Sequence, residues 1–191
     1  MDSLYSSLGK RILDILLSIF AIIILFPIFL LTSLLIILED GFPIFFQQER
    51  YGAKKKIFIL YKFRSMPKNT PELPSALIEN NCVTYIGKII RRTNIDELPQ
   101  IINILFGDMS IVGPRPALIS QVDLIKMRLA NNSSTLRPGL TGLAQINSYD
   151  NMHEIEKSKF DGAYFKKKSF WFDLMIIFST FKYLLKKPPK Y

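Results

Sequence analysis

Apolar positions along this chain follow three patterns, and each predicts a different element. From Ile15 to Leu38 there are 24 residues without a charge. As a helix that run is about 36 Å long, enough to cross a hydrocarbon core ~30 Å thick. Next, Ile44 to Gly52 and Lys54 to Met66 read as two short strands with a turn at Gly52. Helical spacing then dominates. Ala117 to Asn131 predicts an amphipathic helix with Leu118, Val122, Ile125 and Leu129 on one face, and Ile101 to Phe106 a short apolar helix. Between these elements Asn69 to Pro74 reads as a loop, Ala76 to Asn81 as a short element, and Ile86 to Arg92 as the approach to the centre of the chain. The tail from Phe170 to Lys187 is aromatic at its start and lysine-rich at its end, interrupted by Asp173 and Lys182. It fits a helix lying in the membrane interface, with a buried core helix as the alternative.

Charge refines the picture of the N-terminal segment. Lys10 and Arg11 precede it, while Arg50, Lys54, Lys55 and Lys56 follow it, so both flanks favour the cytoplasmic side. Pro27 stands near the middle, where a proline removes a backbone hydrogen bond and kinks or breaks a helix. A helix hairpin broken at Pro27, entering and leaving by one face, satisfies both flanks, whereas a single span satisfies one. Lys10 and Arg11 are also spaced to pair with Asp14. The expected organisation is a membrane-inserted re-entrant hairpin over residues 1–42 and a cytoplasmic catalytic domain over 43–191. The fold class is α/β but mainly helical, with interfacial helices and few short strands.

Composition adds limits. One cysteine, Cys82, excludes an internal disulfide, and with the single His153 it gives no basis for a zinc site. His153, among polar residues, reads as a solvated surface group. The net charge of +9 implies anionic partners. No zinc-finger spacing, aromatic RNA-binding pattern or basic zipper accompanies it, so the expectation is lipid or phosphorylated substrate and no nucleic acid.

The chemistry concentrates in Arg91-Arg92-Thr93-Asn94-Ile95-Asp96-Glu97-Leu98-Pro99-Gln100. Pro99 favours a helix that begins at or near itself, leaving Asp96 and Glu97 at the N-terminal mouth. The competing register caps the helix at Asn94, with Glu97 closing a capping box. Paired carboxylates beside arginines can share Mg²⁺ with a phosphate ligand, a layout suited to phosphoryl transfer. Lys62 and Arg64 alternate along the second strand and would project from one face, suited to a diphosphate. Arg115 lies between Pro114 and Pro116, and Arg137 precedes Pro138, so each is presented on a stiff backbone.

Five ordered blocks give the chain a resemblance to the bacterial sugar transferase family, the monotopic phosphoglycosyl transferases, in its minimal form. They are Lys10-Arg11-x-x-Asp14 before the apolar segment; Lys62-Phe63-Arg64-Ser65-Met66; Arg92-x-x-Ile95-Asp96-Glu97-Leu98-Pro99-Gln100; Gly107-Asp108-Met109-Ser110-x-Val112-Gly113-Pro114-Arg115-Pro116; and Arg137-Pro138-Gly139-Leu140-Thr141-Gly142-x-Ala144-Gln145. The chain departs from the family pattern at Phe26 before Pro27, at Asn80 to Thr84, and at Ser148-Tyr149. The resemblance implies transfer of a phosphosugar from a UDP-sugar to polyprenyl (undecaprenyl) phosphate with release of UMP, at the start of surface glycan assembly. It implies Asp96 as the nucleophile of a covalent intermediate, Glu97 assisting with Mg²⁺ and the acceptor, Arg115 holding phosphate and Arg91 as a helper. It further implies membrane lipids, a second copy of the chain and downstream glycosyltransferases as partners, at the cytoplasmic face of the bacterial inner membrane.

Overall fold

A computed structural model describes residues 5–68, 70, 83–147 and 152–184 of the chain. The element expected at Ala76 to Asn81, Cys82, the altered Ser148-Tyr149 and the final lysines lie outside the described residues. After a π-helical turn at Tyr5–Gly9, helix α1 runs from Lys10 to Asp40. Strands β1 (Phe45–Tyr51) and β2 (Ile57–Phe63) follow, then α2 (Tyr85–Arg92), a 3₁₀ turn (Ile95–Glu97) and α3 (Gln100–Phe106). The rest comprises β3 (Ser110–Val112), β4 (Ala117–Leu118), α4 (Val122–Ala130), β5 (Gly139–Thr141), α5 (Leu143–Asn147), α6 (Glu154–Lys167) and α7 (Phe170–Leu184). The described residues are thus mainly helical with a small sheet portion, as expected.

Helix α1 is long and apolar enough to cross a membrane, and little of its apolar surface is covered by the rest of the molecule. Leu16, Phe20, Ile23, Phe26, Leu30 and Leu34 are exposed, which water would penalise and lipid would not. Pro27 lies inside this run of helical residues. Both ends of the helix dock on the globular part. Near the N-terminus, Arg11 donates to the carbonyls of Ile104 and Leu105 at the end of α3, and Asp14 accepts from Ser110 Oγ and the Ile111 amide. At the other end Ile36 packs with Phe63 and Ile90, and the Glu39 carboxylate accepts the Tyr85 and Ile86 amides at the start of α2. The anticipated pairing of Lys10 with Asp14 is replaced by an ion pair between Lys10 and Asp173 of α7. Asp14 is spent instead on backbone and hydroxyl donors, which its burial demands.

β1 and β2 form an antiparallel hairpin in register from Phe45 opposite Phe63 to Tyr51 opposite Ile57, and β4 adds to the other side of β1. That leaves β2 at the sheet edge, where unpaired backbone groups need a partner. Asn103 of α3 supplies it: its side-chain oxygen accepts the Tyr61 amide at 3.1 Å and its amide donates to the Ile59 carbonyl at 2.7 Å. This fully buried side chain acts as a one-residue strand and fixes α3 beside β2. Phe58, Leu60, Ile104 and Met109 fill the space between. A parallel pair, β3 with β5, forms a second small sheet; a Cβ on Gly139 would fall 2.1 Å from the Gly113 nitrogen, so only glycine lets these strands approach.

Two helices differ from the sequence pattern in their ends or faces. The helix expected from Ala117 begins at Val122, because Ala117 and Leu118 pair as β4. Its buried residues are Leu124 and Arg128, while Val122 and Leu129 are exposed. The inward face therefore holds a charge that a hydrophobic pattern excludes. Helix α7 turns Asp173 and Ile176 inward and leaves Trp171, Phe178 and Phe181 exposed, an amphipathic arrangement of the interfacial kind. His153 is exposed at the start of α6, as expected.

Candidate active site

The central block builds the site from a turn. Asn94 adopts a left-handed conformation, Asp96 and Glu97 fall in the following 3₁₀ turn, and α3 begins after Pro99. The helix register set by Pro99 is the one observed; Asn94 makes no side-chain cap. Since Asn103 pins α3 to the β2 edge, the carboxylates on the preceding turn are held against the end of that strand. Glu97 Oε1 accepts from Lys62 Nζ at 2.6 Å and from Arg115 Nη2 at 3.1 Å. Arg91, in the last turn of α2, donates through Nε to Ser65 Oγ at 2.8 Å and lies close enough to Asp96 to act on its charge. Gly87 makes that packing achievable, because a Cβ there would sit 2.1 Å from the Ser65 carbonyl oxygen.

The two neighbouring carboxyls are driven apart electrostatically. Burial pushes Asp96 up to about 6, and the Glu97 charge adds to it against the pull of Lys62, Arg91 and Arg115. Burial acts upward on Glu97 as well, but Lys62 and Arg115 outweigh it and hold that carboxyl well below the usual carboxylate range. At neutral pH both are ionised, Glu97 as the permanently charged partner of two cations and Asp96 as the more basic neighbour. Two adjacent carboxylates of unequal basicity, ringed by Lys62, Arg91 and Arg115, can receive a polyanionic ligand and offer it an oxygen nucleophile.

The bacterial sugar transferase family model matches residues 5–187. The chain belongs to this family. It is 38% identical over 180 residues to a UDP-glucose:undecaprenyl-phosphate glucose-1-phosphate transferase of Klebsiella pneumoniae, covering 90% of this chain and 39% of that protein. Against an uncharacterized sugar transferase of Bacillus subtilis the identity is 38% over 176 residues, covering 92% of this chain and 87% of the relative. A UDP-N-acetylgalactosamine-undecaprenyl-phosphate N-acetylgalactosaminephosphotransferase of Aeromonas hydrophila is 38% identical over 186 residues, with 92% of this chain and 43% of that protein covered. The chain thus spans about two fifths of the Klebsiella and Aeromonas relatives and most of the Bacillus one.

Within this family member the expected site residues divide. Asp96, Glu97, Lys62, Arg115 and Arg91 converge. Arg64 does not join them: its buried guanidinium bonds the Asp40 and Gly41 carbonyls at 3.0 and 2.8 Å and pairs with the Asp40 carboxylate, capping the end of α1. The strand ends at Phe63, so the alternation that would put Lys62 and Arg64 on one face stops before Arg64. Arg137 is exposed, and its carbonyl packs behind Gly113. Arg50, expected only as a charge flanking the apolar segment, belongs to the site's charge cluster. Burial and nearby Arg115 lower it to about 10 against the opposing pull of Glu97. No local pattern marks it: its guanidinium is placed by the Pro116 carbonyl and the Gln48 side-chain oxygen, at 3.0 and 2.6 Å.

Proposed function

We propose that this chain moves a phosphosugar from a UDP-sugar to a polyprenyl phosphate, releasing UMP, in the first step of a bacterial surface glycan. The observation that carries the reading is the Asp96–Glu97 pair, in which Lys62 and Arg115 hold Glu97 while Asp96 stays the more basic carboxylate. The sugar-phosphate transferase names of the Klebsiella and Aeromonas relatives supply the substrate classes. An Asp96 carboxylate oxygen attacks the sugar-bearing phosphorus, a phosphorus–oxygen bond forms, and the bond to the uridine-bearing phosphate breaks with UMP as leaving group. A polyprenyl phosphate oxygen then attacks the same phosphorus, and the acyl phosphate bond breaks to return the Asp96 carboxylate. Arg115 and Lys62 counter the charge that would otherwise repel a carboxylate from a diphosphate.

Among the described residues no three acidic, histidine or cysteine side chains cluster as a complete metal cage. Mg²⁺ needs none, because it is commonly bound by one or two carboxylates together with substrate phosphates. Asp96 and Glu97 would hold it, and both hydrogen bonds to Glu97 fall on a single oxygen. When bound it would neutralise phosphate charge during transfer. The docking of both ends of α1 on one globular unit supports a re-entrant segment bent at Pro27, with the site on the cytoplasmic face of the inner membrane. Such a segment would hold the site where a lipid phosphate and a soluble nucleotide both arrive. UMP release is the deciding assay, run with a panel of UDP-sugars, with and without polyprenyl phosphate and Mg²⁺. Acceptor-dependent UMP that disappears in Asp96→Asn is expected; full activity in that variant would remove Asp96 from the mechanism.

A further inference from the structure

Pro114-Arg115-Pro116 can donate only one backbone hydrogen bond, since proline lacks an N–H. The segment is therefore fixed by its acceptors, and three successive carbonyls are each taken from a different element. The Pro114 carbonyl accepts the Gly139 amide at 2.8 Å. The Arg115 carbonyl accepts Arg128 Nη1 at 3.0 Å, and the Pro116 carbonyl accepts Arg50 Nη1 at 3.0 Å. Pro114 and Pro116 are buried, while the Arg115 side chain between them reaches out to Glu97.

Of these three holds, the one on Arg115 itself comes from a buried ion pair. Arg128 lies on α4 with 6% of its surface exposed and bonds Asp161 of α6 through Nε and Nη2 at 2.8 and 2.7 Å. Asp161 is itself 2% exposed. A buried ion pair is a poor source of net stability, because desolvating two charges offsets their attraction, so its location asks for another reason. The remaining Arg128 nitrogen points at the carbonyl of Arg115, whose side chain, with that of Lys62, meets Glu97. The Asp161 carboxylate fixes the guanidinium plane, and that plane fixes the Arg115 carbonyl. Neither residue is among the groups that act on the charge of Asp96 or Glu97.

We infer that Arg128, oriented by Asp161, is a positioning residue for Arg115, clamping its carbonyl so that the guanidinium is held on Glu97 and the transferred phosphate. The inference deepens the proposed transferase reading and rests on it for its kinetic test. Lysine at 128 keeps the charge but cannot bond Asp161 through two nitrogens and the carbonyl through a third. Misplacement of a phosphate-binding group by about 1 Å can cost roughly 10²-fold in rate.

The test is a cycle of wild type, Arg128→Lys, Arg115→Lys and the double variant, in the full chain in lipid nanodiscs, measuring kcat for UMP release and amide exchange at Gly113, Arg115 and Ala117. Arg128→Lys should lower kcat by about 10²-fold in the parent and by less than about threefold once Arg115 is lysine, because the two act through one contact. Exchange of the three amides should quicken in Arg128→Lys and not in Arg115→Lys. Equal losses of kcat in both backgrounds would mark Arg128 as general packing and overturn the inference, as would unchanged kcat or unchanged exchange in a folded Arg128→Lys. If that variant fails to fold, Asp161→Asn, which keeps an acceptor but removes the charge, takes its place under the same criteria. Absence of wild-type turnover with every UDP-sugar would instead defeat the transferase reading, and the exchange comparison alone would then decide the clamp.

Discussion

Asp96 and Glu97 are adjacent in sequence, yet their surroundings give them opposite tasks. Burial raises Asp96 and the Glu97 charge adds to it, so under the proposed mechanism the attacking carboxylate is lost as pH falls through about 6. UMP release should therefore drop about tenfold per pH unit on the acid side. Glu97→Gln removes the adjacent negative charge and releases Lys62, and both changes favour ionised Asp96. A pH–rate profile should show a lower maximum with the acid limb moved to lower pH; an unmoved limb would separate Asp96 from the rate. Arg115→Lys should lose most of the activity, since a point charge replaces a fork that meets a carboxylate and a phosphate together. Rates near the parent would refute that geometry. The carboxylate pair and Arg115 were legible in the sequence because their residue types and nearby prolines announce chemistry, and Lys62 because it is a basic residue on an expected strand. Arg50, Arg128 and Asn103 were not, because their roles depend on which backbone carbonyls and amides meet them after folding.

Among the elements, the hairpin of β1 and β2 and the start of α3 followed from local signals, namely Gly52 and Pro99. The buried face of α4 did not, since Arg128 reads as solvent-facing until Asp161 of α6 is placed against it. Helix α7 offers the same lesson, with Asp173 breaking an apolar run and yet lying buried. It accepts from Lys10 and Tyr5 on one oxygen and from Tyr164 on the other. Burial and this carboxylate push both phenols up, so neither tyrosine ionises in the working pH range. Asp173→Ala would strand the Lys10 charge and should cost about 3–5 kcal/mol, the usual penalty for breaking a buried pair. Denaturant unfolding in detergent measures it, and a loss below ~1 kcal/mol would mean that Lys10 finds lipid or water instead.

For the whole molecule, the decisive fact is that α1 is fastened at both ends to one globular unit while its middle exposes leucine, isoleucine and phenylalanine. Cysteines introduced at Ser3 and Lys54 should both react with an impermeant reagent from the cytoplasmic side. Labelling from opposite sides would establish a through-membrane span. The sequence could pose this choice through its flanking charges, but the anchoring of Arg11 on α3 and of Glu39 on α2 links residues too distant along the chain for any local pattern.

The bond between Lys10 and Asp173 joins residues 163 positions apart, and it sets a clock on biosynthesis. At ~5–20 residues per second, the ribosome delivers Asp173 on the order of 10–30 s after Lys10. Throughout that interval α1 can enter the bilayer, but the acceptor shared by Lys10 and Tyr5 does not yet exist. Completion of the unit thus waits until α7 has been made. Nascent chains arrested before Asp173 should remain open to protease near Lys10, and those arrested after α7 has emerged should be closed.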